Sequence, residues 1–262
     1  MSSGFPKQYY LHRGGGVAKT PPVGSACNPR YHRLLLIWPG AAHVLILLAA
    51  PLLAGAGAPG APTQLTRLTL PFEGIWGVIQ GTGSGQTHVG YAAFALDFVP
   101  AQPKSDRPPP RGAPLTAFAC YGRPILAPAD GTVVRVSARA RDWPAYVEGT
   151  GDGNFVIIQH AKNEFSELRH LKANSVTVAA GQRVRRGQIV GRCGNSGNAK
   201  TPHLHIALLS SVAPIATRRF AFSGYEVLTP GGHFQPGDGE PKAGQLVRTA
   251  GRPGAAATDR RP

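Results

Sequence analysis

Residues 125–136 read ILAPADGTVVRV and residues 153–160 read GNFVIIQH. Each apolar run is too short for a helix and rich in the β-branched residues that strands favour. Asp130-Gly131 between two such runs is a hairpin signal. The same texture recurs at 76–80, 95–98, 176–178, 189–191 and 203–209, and Gly or Pro punctuates most of the gaps. AGQRV (180–184) followed by GQIVG (187–191) reads as another compact turn-and-strand unit. No helical periodicity longer than two turns stands out. The pattern predicts an all-β fold, mainly antiparallel sheet, with short strands and long loops.

The rest of the chain agrees with that texture. Gly (34) and Pro (25) are abundant among 262 residues and only 16% are charged, which argues against long amphipathic helices. The formal net charge of +15 raises the question of nucleic acid. The basic residues gather on no single face or helix, and no aromatic-interleaved RNA motif, basic zipper or helix-turn-helix pattern is present, so no nucleic-acid partner is expected. A basic exported protein is equally attracted to anionic envelope polymers.

The first 33 residues carry Lys7, Arg13, Lys19, Arg30 and Arg33 without an acid, and LLLIWPGAAHVLILLAAPLLAGAGA (34–58) follows. Positive charge followed by an apolar stretch is an export signal, with small-residue cleavage sites at 54–56 and 56–58. An uncleaved anchor over 34–56 is the other reading, interrupted by Pro39, His43 and Pro51. Both leave the downstream part outside the cytoplasm, in the periplasm or cell envelope. The expected organisation is a leader at 1–58, a linker at 59–67, a domain at 68–245 and a disordered basic tail at 246–262, with an exposed excursion at 100–114. Cys27 falls in the leader. Cys120 and Cys193 fit no CxxC knuckle. In an oxidising compartment they can pair, contributing about 4 kcal/mol in the chain-entropy model; otherwise they are two unpaired small apolar residues.

Of nine histidines, His12, His32 and His43 lie in the leader. In His203-Leu204-His205, strand alternation turns both imidazoles to one side and Leu204 to the other. Such a pair can share a metal, or one can bind it while the other acts beside it; two solvent-facing polar positions is the plain reading. THVG (87–90) and ALDF (95–98) strengthen the first. Asp97 lies among apolar residues, where a buried carboxylate needs a cation, donors or a metal. His88 can reach the same centre across a short loop. His, Asp and His make a three-ligand set for catalytic zinc that leaves one position for water.

With these elements in order, the sequence resembles the lysostaphin-type, LytM-like zinc metallopeptidases. The resemblance is carried by His88…Asp97, Arg169-His170-Leu171, GNSG (194–197) and PHLH (202–205), together with APADGTV (127–133), GNFVI (153–157) and the 181–191 unit, from about Leu70 to Leu209. Two features depart from the family pattern. The first His and Asp stand nine positions apart here, further than is common, which puts His88 on a loop and Asp97 on the following strand. Leu168 stands where many members carry Tyr.

The resemblance implies an antiparallel β fold of the duplicated hybrid-motif type with an open groove. It implies one Zn2+ held by His88, Asp97 and His205, with His170 and His203 as catalytic residues flanking it. One of these two would take the proton of the attacking water and return it to the leaving amine, and the other would stabilise the oxyanion. The implied activity is endopeptidase cleavage of peptidoglycan peptides by an exported monomer. The reading from another class is a non-catalytic wall-binding relative that activates a separate amidase. His160 is expected to be structural or to face the groove, and His233 to be exposed. The chain lacks HExxH and GxSxG, so neither helix-borne zincin chemistry nor a serine hydrolase has a local signal.

Overall fold

The computed structural model describes residues 63–84, 87–101 and 108–251. The expected leader at 1–58, most of the linker and residues 252–262 lie outside these. Among the described residues the regular elements are thirteen strands and two 3₁₀ turns, Gly90–Ala92 and Leu115–Ala117. The strands are β1 (Trp76–Gln80), β2 (Leu96–Pro100), β3 (Pro124–Leu126), β4 (Gly131–Ser137), β5 (Asn154–Ala161), β6 (Glu164–Leu171) and β7 (Arg183–Val184). They continue with β8 (Ile189–Arg192), β9 (Leu204–Val212), β10 (Ile215–Arg218), β11 (Tyr225–Leu228), β12 (Phe234–Pro236) and β13 (Leu246–Thr249). The all-β expectation is borne out.

The large sheet runs β12-β11-β13-β1-β2-β9-β6-β5-β4-β7, with β10 on β9, and β3 pairs separately with β8. All these pairings are antiparallel, and the two ends are not joined to one another. Alternation sorts the central strands into two faces. Leu96, Phe98, Val156, Ile158, Leu168, Leu204, Ile206 and Leu208 enter the main core. Ala95, Phe155, Ile157, Ala207 and Leu209 form a smaller cluster. Because β9 has strands on both sides and apolar layers on both faces, residues 204–209 are buried throughout, with His205 among them.

Three expectations are corrected. Asp130-Gly131 does not join a two-stranded hairpin: β3 pairs with β8, and β4 with β5 and β7. Gly131 is required for a different reason, since a Cβ there would run into the backbone oxygen of Gln159 on the neighbouring strand. Residues 176–178 form no strand. Only Thr177 is tied, its N–H to the Val190 carbonyl at 3.1 Å and its hydroxyl to that of Ile189 at 3.0 Å. Residues 246–249, expected to open a disordered tail, instead form β13, which sits between β1 and β11 with Val247 fully buried. Four residues with two apolar positions carry too little pattern to register in sequence.

At the other end, ordered packing starts before 68. The N–H groups of Leu65 and Thr66 donate to the fully buried Glu164 carboxylate at 2.7 and 2.8 Å. These donors, with Arg218 at 3.5 Å, lower the Glu164 pKa although burial alone would raise it. Trp76 packs against Phe72, ring centroids 4.3 Å apart, and is an element of the core.

Candidate functional site

Asp97 and His205 are direct cross-strand partners on the β2–β9 ladder. Residues opposed in this way share a face, so His205 Nδ1 stands 3.0 Å from one Asp97 oxygen. His203, just before β9, turns to the same side and brings Nε2 to 3.7 Å from the other oxygen. His88 sits on the loop that precedes the 90–92 turn, with Asp97 on the strand beyond, the arrangement read from the nine-residue separation. Its Nδ1 donates to the Gly81 carbonyl at 2.9 Å, and its Nε2 lies 3.2 Å from Asp97.

His170 arrives by a different route. Across β5–β6, Asn154 faces Leu171 and Phe155 faces Arg169, so His170 is an extra, bulged residue. It has φ 61°, in the left-handed region that side chains other than Gly or Asn rarely adopt. The bulge re-aims the ring toward the same centre: centroids lie 4.7 Å from His203 and 5.7 Å from His205. Its Nδ1 donates to the Ser196 carbonyl at 2.9 Å, which leaves the lone pair of the neutral ring on Nε2. His203 is fixed in the same tautomer by the Thr201 carbonyl at 2.7 Å.

All five residues read from the sequence are therefore brought together. The ligand atoms of His88, Asp97 and His205 lie within 4.8 Å of one another, and all three residues are buried. His88 Nε2 is buried without a hydrogen-bond partner. With Nδ1 committed to a carbonyl, Nε2 of a neutral ring presents a lone pair to a carboxylate; only a proton or a metal cation makes that contact favourable. A nitrogen, an oxygen and a second nitrogen donor around one point suit a divalent metal of the zinc type.

The electrostatics follow from the same contacts. Burial pushes the Asp97 carboxyl up, but the imidazoles of His203, His205 and His88 override it and hold the group well below the usual carboxylate range. Burial depresses His88, yet its bonds and charge interaction with Asp97 outweigh this and raise it. His170 is held well below the ordinary histidine value by burial, reinforced by His203 and His205. Burial thus favours the neutral ring, whose free lone pair is on Nε2.

The residues around His170 fall in the GNFVI and GNSG segments that carry the resemblance, which assigned them no individual role. Gly153 and Gly197, both at positive φ, pack so closely that a Cβ on Gly197 would lie 2.6 Å from the Gly153 nitrogen. That contact seats the 194–197 segment beside the bulge. The Ser196 hydroxyl donates to the Leu171 carbonyl at 2.7 Å, which also accepts from the Asn154 side chain at 3.0 Å. Cys120 and Cys193 form a disulfide on the same segment. Cys193 is thus neither a ligand nor a nucleophile. His160 is structural: its Nδ1 donates to the Asp130 carbonyl at 2.8 Å and its Nε2 accepts from Ser166 at 2.8 Å. His233 is exposed.

Residues 113–216 match the model of peptidase family M23. The match contains His170, His203 and His205, while His88 and Asp97 precede it. Peptidoglycan DD-endopeptidase ShyA of Vibrio cholerae is 36% identical over 94 residues, covering 36% of this chain and 19% of that protein. An uncharacterized metalloprotease of Haemophilus influenzae is 38% identical over 84 residues, covering 32% of this chain and 15% of that protein. The chain thus spans less than a fifth of the length of these relatives. Among solved structures, a zinc containing peptidase from Vibrio cholerae matches at 20% identity and a TM-score of 0.38, covering 58% of this chain and 39% of that one.

Proposed function

On the premise that residues 113–216 form a peptidase family M23 domain, we propose that the protein is an exported zinc-dependent endopeptidase that hydrolyses peptide cross-links of cell-wall peptidoglycan. The observation that supports this most is the convergence of His88 Nε2, the Asp97 carboxylate and His205 Nδ1 on one point, with the His88 nitrogen buried and otherwise unpartnered. These three would hold the Zn2+, which when bound supplies Lewis-acid polarisation of a carbonyl and lowers the pKa of a water.

The chain's own residues supply the rest. His170 and His203 each have Nδ1–H committed to a backbone carbonyl, so each offers Nε2 to the reaction. With Nδ1–H committed to the Ser196 carbonyl, the neutral His170 ring would take a proton at Nε2 and give it to the leaving amine. Asp97 is held ionised by the surrounding imidazoles and so is available as the anionic donor. The substrate class is supported by relatives named as peptidoglycan DD-endopeptidases. Export and an envelope location follow from the basic-then-apolar leader at 1–58, and action as a monomer without nucleic acid completes the reading.

Digestion of purified sacculi tests the proposal. Zinc-loaded protein is expected to release muropeptides with new free amino termini, and chelator-treated protein to release none until zinc is restored. Intact cross-links after incubation with the loaded protein would refute the substrate assignment. Release that ignores the chelator would remove the metal from it.

A further inference from the structure

We propose that Asp142 is a positioning residue for His170. This rests on the catalytic reading of His170 above. Asp142 lies outside β4 and β5, in the segment that connects them, and no sequence motif marks it. Its side chain nevertheless gathers three separate parts of the chain. One oxygen accepts the Asn195 N–H at 2.8 Å; the other accepts the Tyr121 hydroxyl at 3.0 Å and the Ala173 N–H at 3.1 Å.

Those donors bracket His170. Ala173 follows the bulge by three residues, and Asn195 precedes Ser196, whose carbonyl fixes the His170 tautomer. Asn195 is tied to the same segment again. Its side chain donates to the Trp143 carbonyl at 2.8 Å, and its own carbonyl accepts the Trp143 N–H at 3.0 Å. The His170 carbonyl accepts the Gly194 N–H at 2.9 Å, so both ends of the bulged residue hang on the 194–196 segment. Gly194 is there because a Cβ would meet Asp142 Oδ1 at 2.7 Å as well as the Lys172 backbone. A left-handed histidine persists only where its surroundings over-determine it. Asp142 is a charged group shared by both sides of that arrangement, and its loss frees the Ser196 carbonyl to drift from His170 Nδ1.

The test compares wild type, Asp142→Ala and Asp142→Asn on a purified cross-linked muropeptide dimer, with zinc content and thermal unfolding measured on each. A proton spectrum of the metal-free protein is recorded in parallel, the His170 Nδ1–H resonance being assigned by its loss in His170→Ala. Asp142→Ala is expected to lose about ten- to a hundredfold in kcat with KM and zinc stoichiometry unchanged, as a displaced catalytic group does. Its His170 Nδ1–H signal should be lost to solvent exchange. Asp142→Asn keeps an acceptor for one of the two backbone N–H groups and is expected to recover part of both. If Asp142→Ala does not fold, Asp142→Asn decides alone, with at least a threefold fall in kcat expected. A variant with kcat within twofold of wild type and an intact His170 signal overturns the proposal. A wild type that cleaves nothing refutes the catalytic reading instead, and the His170 signal still reports whether Asp142 positions the ring.

Discussion

Asp97 and His205 face each other across a regular antiparallel rung, whereas His170 stands on a bulge at the end of β6. The rung is positioned by the ladder itself: register sets the separation, alternation sets the face, and apolar layers on both sides hold the strands. The bulged residue has no such frame. It takes a left-handed backbone and relies on Ser196, Asn154, Gly194 and Asp142 to keep it. Two of the three candidate metal ligands, Asp97 and His205, therefore sit on the central ladder, while His88 reaches them from a loop. His170, the proposed proton-handling group, sits where the backbone departs from that ladder. Geometry that must not change is assigned to the ladder, and a side chain aimed where no rung points is assigned to a bulge.

The comparison breaks most decisively at Asp97. Asp97→Ala leaves His88 and His205 without the anion between them. Zinc content should fall to background, and kcat/KM should fall beyond the roughly 10⁴-fold that a single acid–base residue contributes. Metal analysis and muropeptide release on the same preparation check this. Zinc retained at one per chain would show that the rung is not the metal site.

The same contrast explains what could be read in advance. His203 directly precedes β9 and His205 lies in it, so the shared side of the two rings follows from strand period alone. Asp97 announces itself as an acid among apolar residues. The bulge leaves no such trace: Arg169-His170-Leu171 sits in an ordinary-looking run, and the left-handed position is held by a histidine where a glycine would have signalled it. Resemblance, rather than pattern, brought His170 into the site. Asp142 was invisible for a related reason. Its partners Tyr121, Ala173 and Asn195 are far apart in sequence, and one aspartate in a polar segment has no period to betray it. The Asp130-Gly131 signal misled because glycine answers two needs, a turn and a close approach, and sequence does not say which.

A smaller effect sharpens the bulge side. A left-handed residue other than Gly stores strain of about 1–3 kcal/mol. His170→Gly and His170→Ala both remove the ring, so both should be inactive. The glycine variant, however, should be the more stable of the two by about 1 kcal/mol, because it adopts φ 61° without the Cβ penalty. Denaturant unfolding of the two proteins measures the difference directly. Equal stabilities would mean that the bulge relaxes once the imidazole is gone, and that the ring rather than the backbone network holds it.

The smallest effect concerns His160, which sits at the irregular pairing near the other end of β5–β6, between Gln159 and Ala161. There the comparison is between two histidines in one strand pair. Both ring nitrogens of His160 are committed, to Asp130 and Ser166, so it holds structure and offers no lone pair. Burial lowers its pKa against the opposing pull of the Asp130 carbonyl and the charges of Glu164 and Asp130. A histidine whose folded pKa lies below its unfolded value of 6.5 binds protons less readily in the native state. Its contribution to stability is thus complete above about pH 6.5 and declines as the pH falls toward the folded value. Thermal unfolding of wild type and His160→Gln between pH 7.5 and 5 isolates this contribution, because the other titrating groups are common to both. The wild type should lose more stability than the variant on acidification. Parallel curves would remove His160 as an acid-sensitive support of the strand pair while leaving its hydrogen bonds in place.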